Sequence, residues 1–227
     1  MTGGRPGRRG RRSLRPVVLA AAVALTSGCD TPVAGEAVTA PAPSAPSAPD
    51  RAAELEPLLV EEVPSGLPRL PDGQVMPPAG EKTVEDVAGY ADDPAHERAV
   101  LDDYGYRFGW ERFWGVEHGA LTSVFVHQLR SRAGAAAYAR DLAANDAGYY
   151  AGSLAENPPD LPGGCWLLTV EDPRDGSGLD GPAAISWCAS GVFSVSVTAV
   201  ADSLGDARAE VRELLPIQLD RLQSHGG

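Results

Sequence analysis

Two short runs in the C-terminal half restrict this chain more than any other feature. Gly164-Cys165-Trp166-Leu167-Leu168-Thr169-Val170 and Ala183-Ala184-Ile185-Ser186-Trp187-Cys188 frame an acidic loop, Glu171 to Pro182. Both runs are rich in residues that suit extended backbone. An antiparallel pairing that sets Cys165 against Cys188 also sets Trp166 opposite Trp187 and Leu168 opposite Ile185. Side chains alternate between the faces of a strand, so both tryptophans, Leu168 and Ile185 share one face while the cysteines lie on the other. A helix is expected over the tryptophan face, because that much apolar surface has to be covered. Whether the two sulfurs are bonded depends on the compartment, and the opposite end of the chain speaks to that.

The first 28 residues carry six arginines (Arg5, Arg8, Arg9, Arg11, Arg12 and Arg15) and no acid, followed from Val17 to Leu25 by nine apolar residues. Nine residues rise about 14 Å as a helix, roughly half a hydrocarbon core, so the segment is too short to span a membrane. A basic start and a short apolar stretch read as an export signal. Arg11-Arg12-Ser13-Leu14-Arg15 loosely resembles a twin-arginine signal, so both the general route and export of a folded domain stay open. Leu25-Thr26-Ser27-Gly28-Cys29 resembles the lipobox of bacterial lipoproteins, with Thr26 where that family usually has Leu. The resemblance implies removal of residues 1–28, diacylglycerol on the Cys29 thiol, palmitate-class acylation and anchorage at the outer face of the cell membrane. The alternative is ordinary secretory cleavage with Cys29 left as a free thiol. With Cys29 lipidated, Cys165 and Cys188 remain as an even pair in an oxidising compartment, where a structural disulfide is expected. A metal or redox pair would want CxxC spacing or neighbouring histidines.

Residues 29–53 read as a tether, with Pro at 32, 41, 43, 46 and 49 and few large apolar side chains. In polyproline II, at about 3.1 Å per residue, it would hold a domain some 60 Å from its anchor. The folded domain is expected over 54–227. Leu58 to Val63 reads as an edge strand, and the proline-rich stretch 64–80 as a loop laid on the surface. Thr83 with Asp86 forms a capping-box pattern. Asp93-Pro94 opens a second helix, which Gly105 closes. Tyr106, Phe108, Trp110, Arg112 and Trp114 alternate onto one face of a strand, Glu117-His118-Gly119 turns, and 120–129 returns. Ser131 to Asn145 reads as an alanine-rich helix with Tyr149-Tyr150 just past its end. Val192 to Val200 is a further strand, and Ser203 with Asp206 starts a closing helix. The fold class is α+β: an antiparallel sheet of about five or six strands packed by helices, a two-layer sandwich with one disulfide.

This order of elements is similar to small extracytoplasmic domains of actinobacterial lipoproteins. The residues that carry the likeness are YGYRFGWERFW, SRAGAAAYARDL, the paired GCW and SWC strands and the closing QLDRL. Those domains are similar in architecture to PsbP-like sandwiches and to the sensor domains of some actinobacterial kinases. The resemblance spans about residues 83–223 and rests on packing features. It implies a fold and a location, and no catalytic residue.

Charge narrows the function further. The chain has a formal charge of −12. Without the first 28 residues, thirteen basic side chains face thirty-one acids, a charge of −18. That argues against nucleic acid and against electrostatic binding to anionic lipid. Lys82 is the single lysine. No GxSxG elbow is present. His96-Glu97-Arg98-Ala99-Val100 begins like HExxH but puts Val100 where the second ligand belongs, so it lacks a two-histidine metal face. The loop 171–181 has the oxygen-rich composition of a calcium loop without the DxDxDG order, and solvated turns explain it equally. No cofactor is implied. The residues selected for a ligand groove are Tyr149, Tyr150, His127 and Trp110. His127 is expected to face inward with a hydrogen-bond partner. Three functions follow: a non-catalytic binding or sensor module for a small apolar or envelope-derived ligand or a protein partner; a hydrolase or metalloenzyme assembled around His127 and scattered acids; or a structural assembly factor.

Overall fold

The computed structural model describes residues 47–116 and 119–225. Cys29, the export segment and most of the tether lie outside the described residues, as do Glu117 and His118 of the expected turn. After two 3-10 turns and a proline-rich loop, the described chain runs β1 (Gly80–Lys82), α1 (Val84–Ala88), α2 (Pro94–Tyr104), β2 (Tyr106–Gly115) and β3 (Leu121–Leu129). It continues through α3 (Arg132–Tyr150), β4 (Ser153–Glu156), β5 (Trp166–Val170), β6 (Ala183–Ser190), β7 (Phe193–Val200) and α4 (Leu204–Gln223). Local chemistry starts the helices. The Thr83 hydroxyl accepts from the Asp86 N–H at 3.2 Å while Asp86 accepts from the Thr83 N–H at 2.8 Å, a complete capping box. Asp93 caps α2 by accepting from the His96 N–H, and Gly105, at φ 78°, lets the chain leave it in a left-handed turn. Ser131 and Ser203 cap α3 and α4 in the same way, and α4 runs on through Pro216.

The strands form one antiparallel sheet in the order β1-β2-β3-β7-β6-β5-β4. Seven strands replace the expected five or six. The additions, β1 and β4, are edge strands of three and four residues, too short and too polar to show period-2 alternation. Trp166 pairs with Trp187 and Leu168 with Ile185, and the disulfide Cys165–Cys188 closes beside them with the Cα atoms 4.4 Å apart.

Helices cover both faces, so the domain has three layers rather than two. Trp187, Ile185 and Leu168 pack with Ala139 and Ala143 of α3. Their neighbours of opposite parity, Cys188, Ala184 and Leu167, pack with Val211, Leu214 and Leu215 of α4. Alternation along β5 and β6 therefore feeds two separate cores.

Residues 58–63 are not an edge strand. They belong to an irregular strap, Ala48 to Val63, laid on the α4 face with Leu55, Leu59 and Val60 in the core. Its backbone polar groups are met by side chains instead of a ladder. Arg112 donates to the Val60 carbonyl at 2.7 Å, Arg221 to that of Leu59 at 2.6 Å, and Gln218 accepts from the Val60 N–H at 3.0 Å. Gln128 holds the Pro49 carbonyl at 2.9 Å, so packing reaches back before residue 54. The β2 register shifts between Tyr106 and Phe108. This bulge moves Tyr106 off the face of Phe108, Trp110 and Trp114 and into a cluster with Leu129 and Tyr138.

Candidate functional site

Both faces carry an opening: at the strap on the α4 side, one of about 510 Å³ with a largely charged lining, Glu56, Pro57, Glu61, Arg69 and Arg112; on the α3 side, one with aromatic walls. Between the sheet and α3 lies a cleft of about 520 Å³, a size suited to a small organic ligand. Its floor comes from alternate positions of four strands: Glu111 and Phe113 of β2, Ser123, Phe125 and His127 of β3, Ser196 and Thr198 of β7, and Ile185 and Trp187 of β6. α3 contributes Tyr138, Leu142, Asn145, Asp146 and Tyr150; α1, α2 and the turn between them add Val87, Tyr90, Ala91 and Glu97. Gly178 and Leu179 of the acidic loop reach the same cleft.

The aromatic rings meet edge to face. Phe113 and Phe125 have centroids 5.4 Å apart, and Tyr138 lies 5.6 Å from His127. His127 is buried, with Nδ1 3.3 Å from the Tyr106 hydroxyl. Burial, and behind it the charge of Lys82, pull its pKa down to about 4, so the imidazole is neutral at neutral pH.

One end of the cleft holds a buried ion pair. Lys82 and Glu111 are 3% and 2% exposed, with Nζ 3.3 Å from Oε2. Lys82 also donates to the Pro78 carbonyl, and the Tyr90 hydroxyl lies 3.1 Å from both Glu111 oxygens. Burial raises the Glu111 pKa, opposed chiefly by the Lys82 charge. Further along, Asp146 has no hydrogen-bond or ion-pair partner among the described residues, and burial pushes its carboxyl up to about 6. The Tyr138 side chain is likewise buried, at 4% exposure, and its hydroxyl makes no hydrogen bond among the described residues. Burial raises its pKa, and so do the charges of Glu97, Glu111 and Asp146, all of which act on this one phenol.

The four residues selected from sequence divide. His127 and Tyr150 line the cleft. Tyr149 does not; it is 59% exposed and stacks edge-on against Tyr150 at 4.9 Å. The pair forms the last turn of α3, which runs five residues beyond the expected Asn145. Trp110 lies on the other face, in the core under α4, because its alternation partners are Phe108 and Trp114. No group of three or more His, Cys, Asp or Glu is placed to hold a metal ion among the described residues, the loop 171–181 included. No described helix is long and apolar enough to cross a membrane.

Sequence reasoning passed over Glu111, Phe113, Phe125, Tyr138 and Asp146. A signal for the first three was present: once Trp110, Arg112 and Trp114 are assigned to one face, Glu111 and Phe113 must take the other, as must Phe125 with His127. For Tyr138 and Asp146 there was none, because which turn of α3 overlies the cleft is a packing outcome. Set against protein-family models, characterised proteins and solved structures, the chain matches none of them.

Proposed function

We propose that this chain is a lipid-anchored protein of the outer face of the cell membrane, and that its domain is a non-catalytic binding or sensor module holding a small ligand between sheet and α3. The observation that carries the reading is the cleft. Its lining sets it apart: an opening of about 520 Å³ floored by Phe113, Phe125 and Trp187 offers aromatic surface to a small ligand, whereas the one at the strap is lined by Glu56, Glu61, Arg69 and Arg112. The lipobox-like Leu25 to Cys29 and the proline-rich segment behind it supply the anchor and the reach. The bonded Cys165–Cys188 pair fits an oxidising compartment.

Native mass spectrometry of the full chain, exported by an actinobacterial host and purified from its membranes, tests the binding role. An extra mass released on denaturation is expected from the wild type and not from Ser196→Trp, which fills the cleft floor. A wild-type chain without extra mass would move the search to protein partners. Cys29→Ser should send the chain into the medium; retention in the membrane fraction would refute the anchor.

A further inference from the structure

The cleft's lining is one-sided in charge. Glu97, Glu111 and Asp146 face it, and no arginine or lysine does. Lys82 sits behind Glu111, spent on that carboxylate and on the Pro78 carbonyl. Glu97 and Asp146 have no compensating cation among the described residues. Tyr138, a side chain only 4% exposed, lines the same cleft; its hydroxyl makes no hydrogen bond among the described residues, stays open to the cleft, and feels the charges of all three acids. A mostly buried phenol and a part-buried carboxyl, both lining the cleft and neither engaged by a protein group among the described residues, are free to meet a ligand partner there. Such a partner must donate hydrogen bonds and carry positive charge. An anionic lipid or a phosphate would meet the uncompensated Glu97 and Asp146 and be disfavoured there. The remaining lining, Phe113, Phe125 and Trp187, presents aromatic surface to an apolar body and ring faces to a cation.

Resting on the reading of this cleft as a ligand site, we propose that it takes an amphipathic organic ammonium ion. The N–H groups donate to Asp146, Glu97 and the Tyr138 hydroxyl, and the hydrocarbon part lies against Phe113, Phe125 and Trp187.

Three probes of equal chain length separate the possibilities: decylammonium, decanol and decanoate, each titrated calorimetrically below its aggregation limit into the full chain at pH 7.5. Decylammonium should bind at least about tenfold more tightly than decanol, with decanoate weakest. Asp146→Asn should remove most of that preference while leaving decanol binding unchanged, and Glu97→Gln provides a second site for the same test. Glu213→Gln, on the exposed side of α4, should change nothing. Equal binding of the three probes, or tightest binding of decanoate, would overturn the charge selectivity and leave an apolar cleft. A loss in Glu213→Gln matching that in Asp146→Asn would assign the preference to overall negative charge and overturn the site. Failure of all three probes to bind the wild type would overturn the ligand-site reading itself, and this inference with it.

Discussion

The two faces of the sheet are made by the same strands, read at odd and even positions, yet they solve different problems. On the α4 face Trp114, Phe193, Val195 and Val197 meet Val211, Leu214 and Leu215, and the strap covers what the helix leaves open. Polar side chains there mostly finish on backbone: Arg112, Gln218 and Arg221 hold the strap, and Glu210 accepts from the Ser65 N–H at 2.8 Å. On the α3 face the strands present Glu111, Ser123, His127 and Ser196 beside their aromatic residues, and the helix meets β5 and β6 with Ala139 and Ala143. Small side chains seat α3 on those strands while the region over β2 and β3 is left as a cleft. The difference shows that alternation gives a strand two independent surfaces, one filled by apolar side chains and the strap while the other presents polar and aromatic groups to an opening.

That contrast can be broken by paired truncations. Trp114→Ala, at 1% exposure in the closed core, should cost about 3–5 kcal/mol in urea unfolding. Phe125→Ala should cost clearly less, about 1–2 kcal/mol, because its ring already borders open space and leaves little new cavity. Equal losses would mean that the cleft closes in solution. Next in size is the disulfide, which ties β5 to β6 on the closed side across 23 residues. Reducing it should lower stability by about 3 kcal/mol, read as a drop in Tm, and an unchanged Tm would show that the pair contributes nothing.

The smaller effects sharpen the open face through pH. His127 has a folded pKa of about 4 against the ordinary 6.5. Between those values the unfolded chain binds the extra proton, so stability falls as pH drops from about 6.5 towards 4, by up to about 3 kcal/mol. His127→Gln should flatten that slope. Asp146 has the opposite sign. Its folded pKa of about 6 lies above the ordinary 3.8, so the native state holds the proton longer and gains stability as pH falls through that window. Asp146→Asn should therefore stabilise the domain at pH 7.5 by about 1–2 kcal/mol, allowing for partial exposure. A destabilised Asp146→Asn would mean that the carboxylate has a partner in solution.

Much of the local framework was legible in the chain. The pairing of Trp166 with Trp187 follows from where the cysteines sit, and the caps at Thr83, Asp93 and Ser203 are set within four residues of sequence. The strap was misread because Leu58, Leu59, Val60 and Val63 look like a strand; their hydrogen bonds go to side chains more than fifty residues away. Tyr106 was placed on the wrong face because one bulged residue reverses parity, and nothing local announces it. Half of the selected site residues, His127 and Tyr150, do reach the cleft.

By itself, then, the sequence determined where helices begin, which strand positions share a face and which two cysteines meet. Those outcomes depend on neighbours within a turn or directly across one hairpin. Tertiary structure alone decided that the sheet has a helix on each side, that Glu111 is buried against the chain's single lysine, and that Asp146 and Tyr138 line an open floor without a partner among the described residues. Each of those results joins groups distant in sequence through exclusion of water. The cost of burying a charge or a hydroxyl exists only once the surrounding layers have assembled.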